Sequence, residues 1–440
     1  MEMEREMQSR WSLAKRIGFR FLFSYFVLFF LMGQEIEQIP FLGKLVEAYT
    51  RLWYVIAVWI GKNLFHIRYE IALDGQGSGD TTFRWILLPC FLVLAAAATL
   101  LWSVLDRKRA DYARLNQWLR LMLRFSLAIA MISYGMAKVI PNQMMSPRMG
   151  TLTQRVGDLS PMRMLWTFMG SSPAYETFTG LAELFGGVLL LVPRTTLLGA
   201  LVCVADMTMV FMLNLCYDVP VKIMSFHYLL MAIILVAPDL RRLAALFVFN
   251  RAVAPAPAPP RLFARPGLHR LDGAVQVLLC LFGLYSIIMG IPSGIERYKR
   301  QNPPKPPLYG VWYAEELTVD GAEGIADPES WRRAIFQNPG AMTVELVRGK
   351  RRPYALDLDT AAQQMTIEQY QLDAQGQPLL DAAGKPKKLP GWRAELSYAE
   401  PEAYVLVLDG IVDGHHMHAK MRKMAAFQDK FHWIIDPEEE

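Results

Sequence analysis

Long apolar runs dominate the chain up to about residue 292, and short runs that alternate apolar with polar residues dominate the rest. A helix needs roughly 20 mostly apolar residues to cross a bilayer. Seven runs approach or reach that length, at residues 17–33, 85–105, 119–140, 175–192, 195–216, 223–238 and 271–291. The pattern therefore predicts an α-helical membrane bundle of about seven transmembrane helices.

Two further apolar segments are rich in aromatic residues and have shorter apolar centres. Residues 49–65 include Trp53, Tyr54 and Trp59, and residues 162–169 form a similar segment. Tryptophan and tyrosine favour the boundary between lipid and water. We therefore expect both segments to lie on the membrane surface.

Beyond residue 308 the alternation has a period of two, which is typical of strands with one buried face. It is clearest at residues 343–347, 354–358, 393–398, 404–408 and 416–421. Turn signals occur at Asp320-Gly321, Pro339-Gly340, Asp409-Gly410 and Asp413-Gly414. About eight strands in some 130 residues predict a small antiparallel β-barrel or sandwich. Its opening Gly310-Val-Trp312 resembles the first strand of lipocalin-like barrels.

The formal net charge is +5, and the basic residues flank apolar segments rather than forming a separate patch. They fall into three segments, before the first predicted helix (from Arg5 to Arg20), at residues 106–124 and at residues 241–270. With seven spans these segments share one side of the membrane, which the positive-inside rule makes cytoplasmic. We expect a multi-pass inner-membrane protein with an extracytoplasmic C-terminal domain, and no binding of nucleic acid.

The pattern divides the chain into four regions. Residues 1–118 hold two helices and an outer loop, and residues 119–250 hold a four-helix core. Residues 251–300 comprise a Pro/Ala linker and the seventh helix, and residues 301–440 form the β-rich domain.

Ionisable and polar groups within membrane helices are costly and point to function. The candidates for a ligand or proton site are Tyr134, Lys138, Glu183, Asp206, Asn214, Asp218, Lys222 and His227. Each also has a structural interpretation. Glu183 and Asp206 either pair with Lys138 or Arg124 or serve a proton, quinone or ligand site. Lys138 and Lys222 either snorkel or take part in a site, and His227 is either a core histidine or a proton carrier.

Metal chemistry has weak support in this sequence. The four cysteines lie in or beside apolar runs without a CxxC pair, and His415, His416 and His418 form a short histidine cluster. We predict no metal site and no evident cofactor, with a quinone as the candidate exception.

The segments Ser133–Pro141, Leu181–Val202 and Asn214–Leu230 together resemble the DoxX-like superfamily of four-helix membrane proteins, over about residues 120–243. The family's G-x-x-K motif matches Gly135 to Lys138, and its glutamate matches Glu183. The superfamily includes subunits described as thiosulfate:quinone oxidoreductase. The resemblance implies the four-helix fold and leaves the reaction open.

Two functions follow as hypotheses. In the first, the protein binds a lipid, a small ligand or a membrane-protein partner on the outer side, either with its barrel or as a scaffold. In the second, it is an oxidoreductase component that binds quinone within the helical bundle. Whether the protein is an enzyme stays open.

Overall fold

The computed structural model describes residues 11–32, 43–73, 79–256, 261–263, 265–373, 376–381 and 383–424. Arg5 and Arg10 of the first basic segment, Gly33 and residues 257–260 of the Pro/Ala linker lie outside these ranges. The chain divides into two compact units. The first, the helical unit, comprises Met1–Met145 and Ser160–Tyr298. The second, the barrel unit, comprises Ser146–Leu159 and Lys299–Glu440.

Eleven α-helices occur within the described residues. They are α1 (Leu13–Phe30), α2 (Gly43–Asn63), α3 (Thr82–Leu105), α4 (Ala113–Val139), α5 (Met149–Leu152), α6 (Pro161–Gly170), α7 (Pro173–Leu191), α8 (Thr196–Cys216), α9 (Lys222–Val236), α10 (Leu240–Phe247) and α11 (His269–Gln301).

Five stretches of the described chain are long and apolar enough to cross a membrane. They contain α3, α4, α8, α9 with α10, and α11. The other two predicted spans form helices α1 and α7 of 18 and 19 residues, but they are not among the five. Polar residues explain the difference, because α1 carries Lys15, Arg16 and Arg20 and α7 carries Glu176 and Glu183. The chain therefore has membrane-spanning helices, while the predicted total of seven is not confirmed.

Helices α4, α7, α8 and α9 form a closed ring in which each helix packs against the next. Small residues bring α4 and α7 together. A Cβ atom on Gly135 would lie 2.7 Å from the backbone nitrogen of Leu184, and one on Gly187 would lie 2.9 Å from the carbonyl oxygen of Ala128. Such contacts require antiparallel backbones in close approach, as in other membrane helix pairs built on small residues. The ring is the four-helix core that the sequence predicts.

The described parts of the three basic segments gather at one end of the helical unit, which we call the basic end. Arg16 of α1 donates to the carbonyl oxygen of Arg109, which precedes α4, at 2.8 Å. Trp118 of α4 donates to the carbonyl oxygen of Leu262, in the third segment, at 3.2 Å. The placement of all three segments on the cytoplasmic side of the membrane stays a prediction.

Helix α2 contacts the halves of α1 and α3 that lie away from the basic end. Tyr49 donates to the carbonyl oxygen of Leu28 at 3.3 Å, and Trp53 packs edge-on against Phe91 at 5.0 Å between ring centroids. These contacts fix α2 against α1 and α3, and the position of residues 49–65 on the membrane surface stays a prediction.

The described residues of the barrel unit form nine strands, all paired antiparallel. They are β1 (Gly310–Val319), β2 (Ala322–Glu323), β3 (Trp331–Asn338), β4 (Ala341–Leu346), β5 (Arg351–Asp359), β6 (Gln364–Tyr370), β7 (Lys388–Glu402), β8 (Val405–Val412) and β9 (His415–Lys423). Pairing of β1 with β9 closes eight strands into a barrel, and the two-residue β2 extends β1 at its end. The closed barrel confirms the predicted antiparallel β-domain and decides between barrel and sandwich.

Large side chains fill the barrel. Trp312, Phe336 and Tyr354 are each at most 1% exposed and belong to one apolar cluster. The indole of Trp312 donates to the carbonyl oxygen of Leu308 at 2.8 Å, so the polar atom of the G-x-W tryptophan is satisfied inside the core. An eight-stranded barrel is just wide enough for its side chains to fill. Because side chains fill the barrel interior, we place no ligand site inside it.

One predicted turn is wrong. Asp409-Gly410 lies inside β8, opposite Ser397 and Leu396, rather than between strands. Gly410 has φ +152°, and a Cβ atom there would meet the carbonyl oxygen of Glu395 at 2.2 Å. Glycine is needed here for the close approach of two strands, a requirement that produces the same sequence signal as a turn.

The boundary of the barrel unit also differs from the predicted one. Residues Ser146–Leu159, which the sequence pattern assigned to the four-helix core, belong to the barrel unit. Arg351 of β5 donates to the carbonyl oxygen of Gly150 at 2.7 Å and to the hydroxyl of Thr153 at 2.6 Å. The loop after α4 is therefore part of the same compact unit as the C-terminal barrel.

Candidate ligand site in the helical core

An ion pair joins α4 to α7 inside the four-helix core. The Lys138 ammonium donates to both carboxylate oxygens of Glu183 at 2.6 Å, and the two residues are only 6% and 3% exposed. Lys138 lies in the last turn of α4, whereas Glu183 lies ten residues into α7. The lysine therefore extends toward the interior instead of snorkelling outward, and the structural ion pair considered from the sequence is present.

Gly135 and Gly180 make this pair geometrically feasible. A Cβ atom on Gly180 would lie 2.7 Å from the Cβ of Lys138 and 2.6 Å from the backbone nitrogen of Val139. With no side chain at either glycine, the α4 backbone lies directly against α7, and Lys138 can reach Glu183. The glycine of the G-x-x-K motif thus has a structural role that its lysine depends on.

Asp206 of α8 lies opposite Glu183 of α7. Close contacts of Gly199 with Leu190 and of Gly186 with Cys203 fix the antiparallel register of the two helices. The same register carried one turn further brings residue 206 beside residue 183, within electrostatic range of both Glu183 and Lys138. The Oδ2 atom of Asp206 is buried and has no hydrogen-bond partner among the described residues.

Lys138, Glu183 and Asp206 form what we call the core charge cluster. It holds one ammonium and two carboxyl groups, and the ammonium already contacts both oxygens of Glu183. Tyr134, one turn before Lys138, is 40% exposed, and its ring packs 6.2 Å from that of Tyr228 on α9. The unpartnered Oδ2 of Asp206 can therefore accept a hydrogen bond or a proton from a ligand.

The other candidates do not join this cluster. Asn214 of α8 donates to the hydroxyl of Ser225 on α9 at 2.9 Å, inside the helix pair. Lys222 contacts Asp218 at 2.8 Å and Asp80 at 3.7 Å, with Asp218 largely exposed. Asp80 also accepts the backbone N–H groups at the start of α9, so this group caps a helix end.

His227 is a buried histidine with both nitrogens engaged. Its Nδ1 lies 2.6 Å from the carbonyl oxygen of Ile223, and its Nε2 lies 2.6 Å from the hydroxyl of Tyr25 on α1. Phe29 stacks on the imidazole with 4.0 Å between ring centroids. Since the carbonyl must accept from Nδ1–H, the neutral ring accepts the Tyr25 hydroxyl at Nε2. These contacts favour the interpretation of His227 as a structural histidine that ties α1 to α9.

Comparison with known proteins finds a bacterial relative. The chain is 33% identical over 126 residues to the uncharacterized protein YwoB of Bacillus subtilis (strain 168), and the match covers 28% of this chain and 79% of YwoB. The chain belongs to the YwoB family. No family model and no solved structure matches it.

This YwoB-family chain also contains arginines whose positions the sequence analysis did not anticipate. Arg20 lies within α1, is 2% exposed and donates to the hydroxyl of Tyr112 and the carbonyl oxygen of Asp106. Arg120 and Arg124 are one turn apart on α4 and line a cavity at the basic end. The sequence analysis considered Arg124 only as an ion-pair partner of Glu183 or Asp206, but Arg124 contacts Thr196 and Gln276 instead. The i, i+4 spacing of Arg120 and Arg124 within an apolar helix was an available signal for a shared cavity.

A second cavity, of about 530 Å³, belongs to the barrel unit. Residues of the 146–159 loop and of β3, β4 and β5 line it, including Arg155, Arg332, Arg333 and Arg351. Arg333 contacts Glu345 at 2.6 Å, whereas the side chains of Arg155 and Arg332 make no hydrogen bond or ion pair with another described residue. Four arginines against two carboxylates give this cavity an excess of positive charge. We call it the outer cavity, after the predicted location of the barrel unit.

The histidines of β9 pair with aspartates. His416 and His418 share a face, as alternation predicts, and both contact Asp409, at 3.5 and 3.0 Å. His415 lies 2.7 Å from Asp320. Among the described residues no group of three or more ligand-type side chains could hold a metal ion.

Proposed function

We propose that the helical unit is a membrane-embedded binding module for a small hydrogen-bonding ligand of the quinone class, held beside the core charge cluster. The observation that carries the proposal is the buried Oδ2 of Asp206, which lacks a hydrogen-bond partner among the described residues. An unsatisfied buried polar atom costs about 1–3 kcal/mol. A ligand that donates to this oxygen would recover that energy.

The chemistry of the cluster suits this ligand class. A quinol hydroxyl can donate to a carboxylate oxygen, and a quinone takes up protons when it is reduced. Lys138 and Glu183 would fix the local field, and Asp206 would be the group available to the ligand. The membrane supplies such apolar ligands directly to the helices, so no water-filled route is needed.

The proposal extends to kinship with the DoxX-like superfamily. Its support is that Lys138 and Glu183, the lysine and glutamate of the resemblance, form one ion pair, while the glycine of the same motif lies at the helix contact. The motif residues then serve one site rather than three separate tasks.

Mass spectrometry of extracted small molecules tests the quinone proposal. The full chain is purified gently from its membrane, and bound quinone is quantified for the wild type, Asp206→Asn and Asp218→Asn. We expect nearly stoichiometric quinone in the wild type, at least a tenfold loss in Asp206→Asn, and no loss in the exposed control Asp218→Asn. Background quinone in the wild type, or equal loss in both variants, would contradict the proposal.

A second candidate function is binding of an acidic ligand or partner group on the outer side. The outer cavity favours it, because the guanidinium groups of Arg155 and Arg332 line it and form no ion pair with a carboxylate of the described residues. Arginine suits carboxylate and phosphate groups through paired hydrogen bonds. This candidate retains the ligand-binding hypothesis but places the site on the barrel's exterior.

Thermal stability in the presence of small anions tests this second candidate. Phosphate and citrate are added to the wild type, to Arg332→Gln and to Arg393→Gln, an exposed arginine outside the cavity. A stabilisation lost only in Arg332→Gln supports the outer site. A response of the same size in all three proteins, or in none, argues against it.

A further inference from the structure

The basic end of the helical unit contains a cavity of about 700 Å³. It lies where the starts of α4, α8 and α11 meet the end of α9 and the helix α10. Five arginines line it, namely Arg120, Arg124, Arg194, Arg242 and Arg261. Two carboxylates, Asp239 and Asp272, lie among them, so three positive charges are in excess.

The two carboxylates are already engaged. Asp239 pairs with Arg242 in the neighbouring turn. Through Oδ2, Asp272 lies 3.8 Å from Arg261 and accepts the backbone N–H of Leu262 at 3.3 Å, while its buried Oδ1 has no hydrogen-bond partner among the described residues. The remaining three arginines form no ion pair with a carboxylate among the described residues, and Asp239 lies within electrostatic range of Arg120.

Within the described chain, Arg120 and Arg124 donate only to neutral acceptors, and the Arg194 side chain donates no hydrogen bond. Arg120 donates to the carbonyl oxygen of Leu235 at 3.3 Å, and Arg124 donates to Thr196 at 3.4 Å and to the side-chain amide of Gln276. Arg124 is only 8% exposed, and its Nε has no acceptor. A buried guanidinium with an unpaired N–H donor favours a bound anion, because burying a charge without a partner is energetically costly.

Apolar and polar walls meet in this cavity. Leu121, Leu197 and Leu235 line it together with the arginines. The cavity also lies at the ends of membrane-length helices, where a lipid places its headgroup above its acyl chains. An amphipathic ligand with a phosphate head and an apolar tail matches both surfaces.

We propose that this cavity binds the phosphate group of an anionic phospholipid from the adjacent leaflet. Arg120, Arg124 and Arg194 would hold the phosphate, and the leucines would contact the glycerol and the first part of the acyl chains. Planar guanidinium groups bind phosphate oxygens in pairs of charge-assisted hydrogen bonds. This site lies at the opposite end of α4 from Lys138 and does not depend on the proposed quinone site.

Native mass spectrometry of the full-length protein tests the proposal, with phosphatidylglycerol and phosphatidylcholine of identical acyl chains as probes. The wild type is compared with Arg194→Gln, which changes an exposed cavity residue and should fold normally. Arg241→Gln is the matched control, since Arg241 is also exposed and adjoins Arg242 but does not line the cavity.

We expect phosphatidylglycerol to bind at least tenfold more tightly than phosphatidylcholine to the wild type and to Arg241→Gln. Arg194→Gln should reduce that preference at least fivefold, and Arg120→Gln should do the same if it folds. Equal binding of both lipids, or equal losses in Arg194→Gln and Arg241→Gln, would overturn the proposal. Full displacement by millimolar inorganic phosphate would also overturn it, because the site would then select a soluble anion.

Discussion

At the scale of single residues, burial and partner decide the role of each ionisable group. Lys138 and Glu183 neutralise each other inside the core, while Asp206 beside them retains an oxygen without a partner. Lys222 and Asp218 have a similar chemistry at a partly exposed helix end, where their contact stabilises little. Identical residue types in the two places therefore have different consequences.

Breaking the core pair from one side should destabilise the protein strongly. Glu183→Gln removes the carboxylate that directly contacts the buried ammonium of Lys138, so we expect a loss of about 3–5 kcal/mol in the free energy of unfolding. The double variant Lys138→Met/Glu183→Leu should recover most of that loss. Denaturant unfolding of the purified protein measures both, with Asp218→Asn as a control that should change stability by less than about 1 kcal/mol. A double variant as unstable as Glu183→Gln would contradict this account.

The exposed pair of His415 and Asp320 should respond to pH. The hydrogen bond with Asp320 raises the pKa of His415, and the same hydrogen bond lowers the pKa of Asp320. A raised histidine pKa means that the contact contributes fully below about pH 6.5 and is lost as pH rises through the raised value. The lowered aspartate pKa means that it is also lost at acidic pH, as pH falls through that lowered value.

Hydrogen exchange of the His416 amide reports this contact, because that amide donates to Asp320 at 2.9 Å. After correction for intrinsic exchange, protection in the full-length protein should fall between pH 6 and 8. In His415→Gln the corrected protection should stay flat over the same range. The same pH dependence in both proteins would rule out the histidine as its source.

At the scale of elements, close helix contacts position the core charge cluster. The α4–α7 pair depends on Gly135, Gly180 and Gly187, and the α7–α8 pair depends on Gly186 and Gly199. These contacts set the registers that bring residues 138, 183 and 206 together. Glycine in these helices therefore has a packing role that outweighs its low helix propensity.

Adding one methyl group at this contact should separate the helices. In Gly135→Ala the new Cβ would lie 2.7 Å from the backbone of Leu184, so we expect a cost of about 1–3 kcal/mol. Gly18→Ala is the control, because a Cβ atom there has nothing within 4 Å and should be neutral or slightly stabilising. Thermal unfolding of both variants provides the measurement. If Gly135→Ala and Gly18→Ala had equal midpoints of thermal unfolding, the close contact between α4 and α7 at Gly135 would be contradicted.

At the scale of the whole molecule, the chain alternates between the two units. It runs from the helices through the 146–159 loop of the barrel unit, returns to the helices, and then forms the barrel. The 146–159 loop belongs to the same compact unit as the C-terminal strands, so we predict that both lie on one side of the membrane. Helices α6 to α11 follow that loop before the barrel begins, and α8, α9 with α10, and α11 belong to stretches long and apolar enough to cross a membrane. The predicted topology counts α7 as a fourth crossing, and an even number of crossings returns the chain to the side of the loop.

Surface labelling of single-cysteine variants tests this topology. In a cysteine-free background, Val156→Cys and Tyr404→Cys should react with a membrane-impermeant maleimide added from outside. Phe249→Cys, which lies after α10, should react only after the membrane is opened. All three side chains are more than 60% exposed, so access across the membrane is the variable measured. Labelling of positions 156 and 404 from opposite sides would contradict the shared compartment.

Much of the fold was predictable because local periodicity reports local structure. Alternation at residues 416–421 correctly predicted β9, and the apolar run at 195–216 correctly predicted α8. The Asp409-Gly410 signal misled because glycine serves both turns and close strand contacts. The candidate site was predicted only as separate residues, since sequence spacing contains no information on which helices are neighbours.

The sequence by itself determined that apolar helices precede an alternating β-domain, that basic residues mark one end of the helices, and that charged groups lie within apolar runs. These features depend on composition and on the fixed periods of helix and strand. Only the tertiary structure decided that Lys138 meets Glu183, that Asp206 keeps an oxygen free of described partners, and that arginines converge on one cavity. These contacts depend on helix register and on the close approach of helices that glycine permits. Neither can be read from a single segment of the sequence.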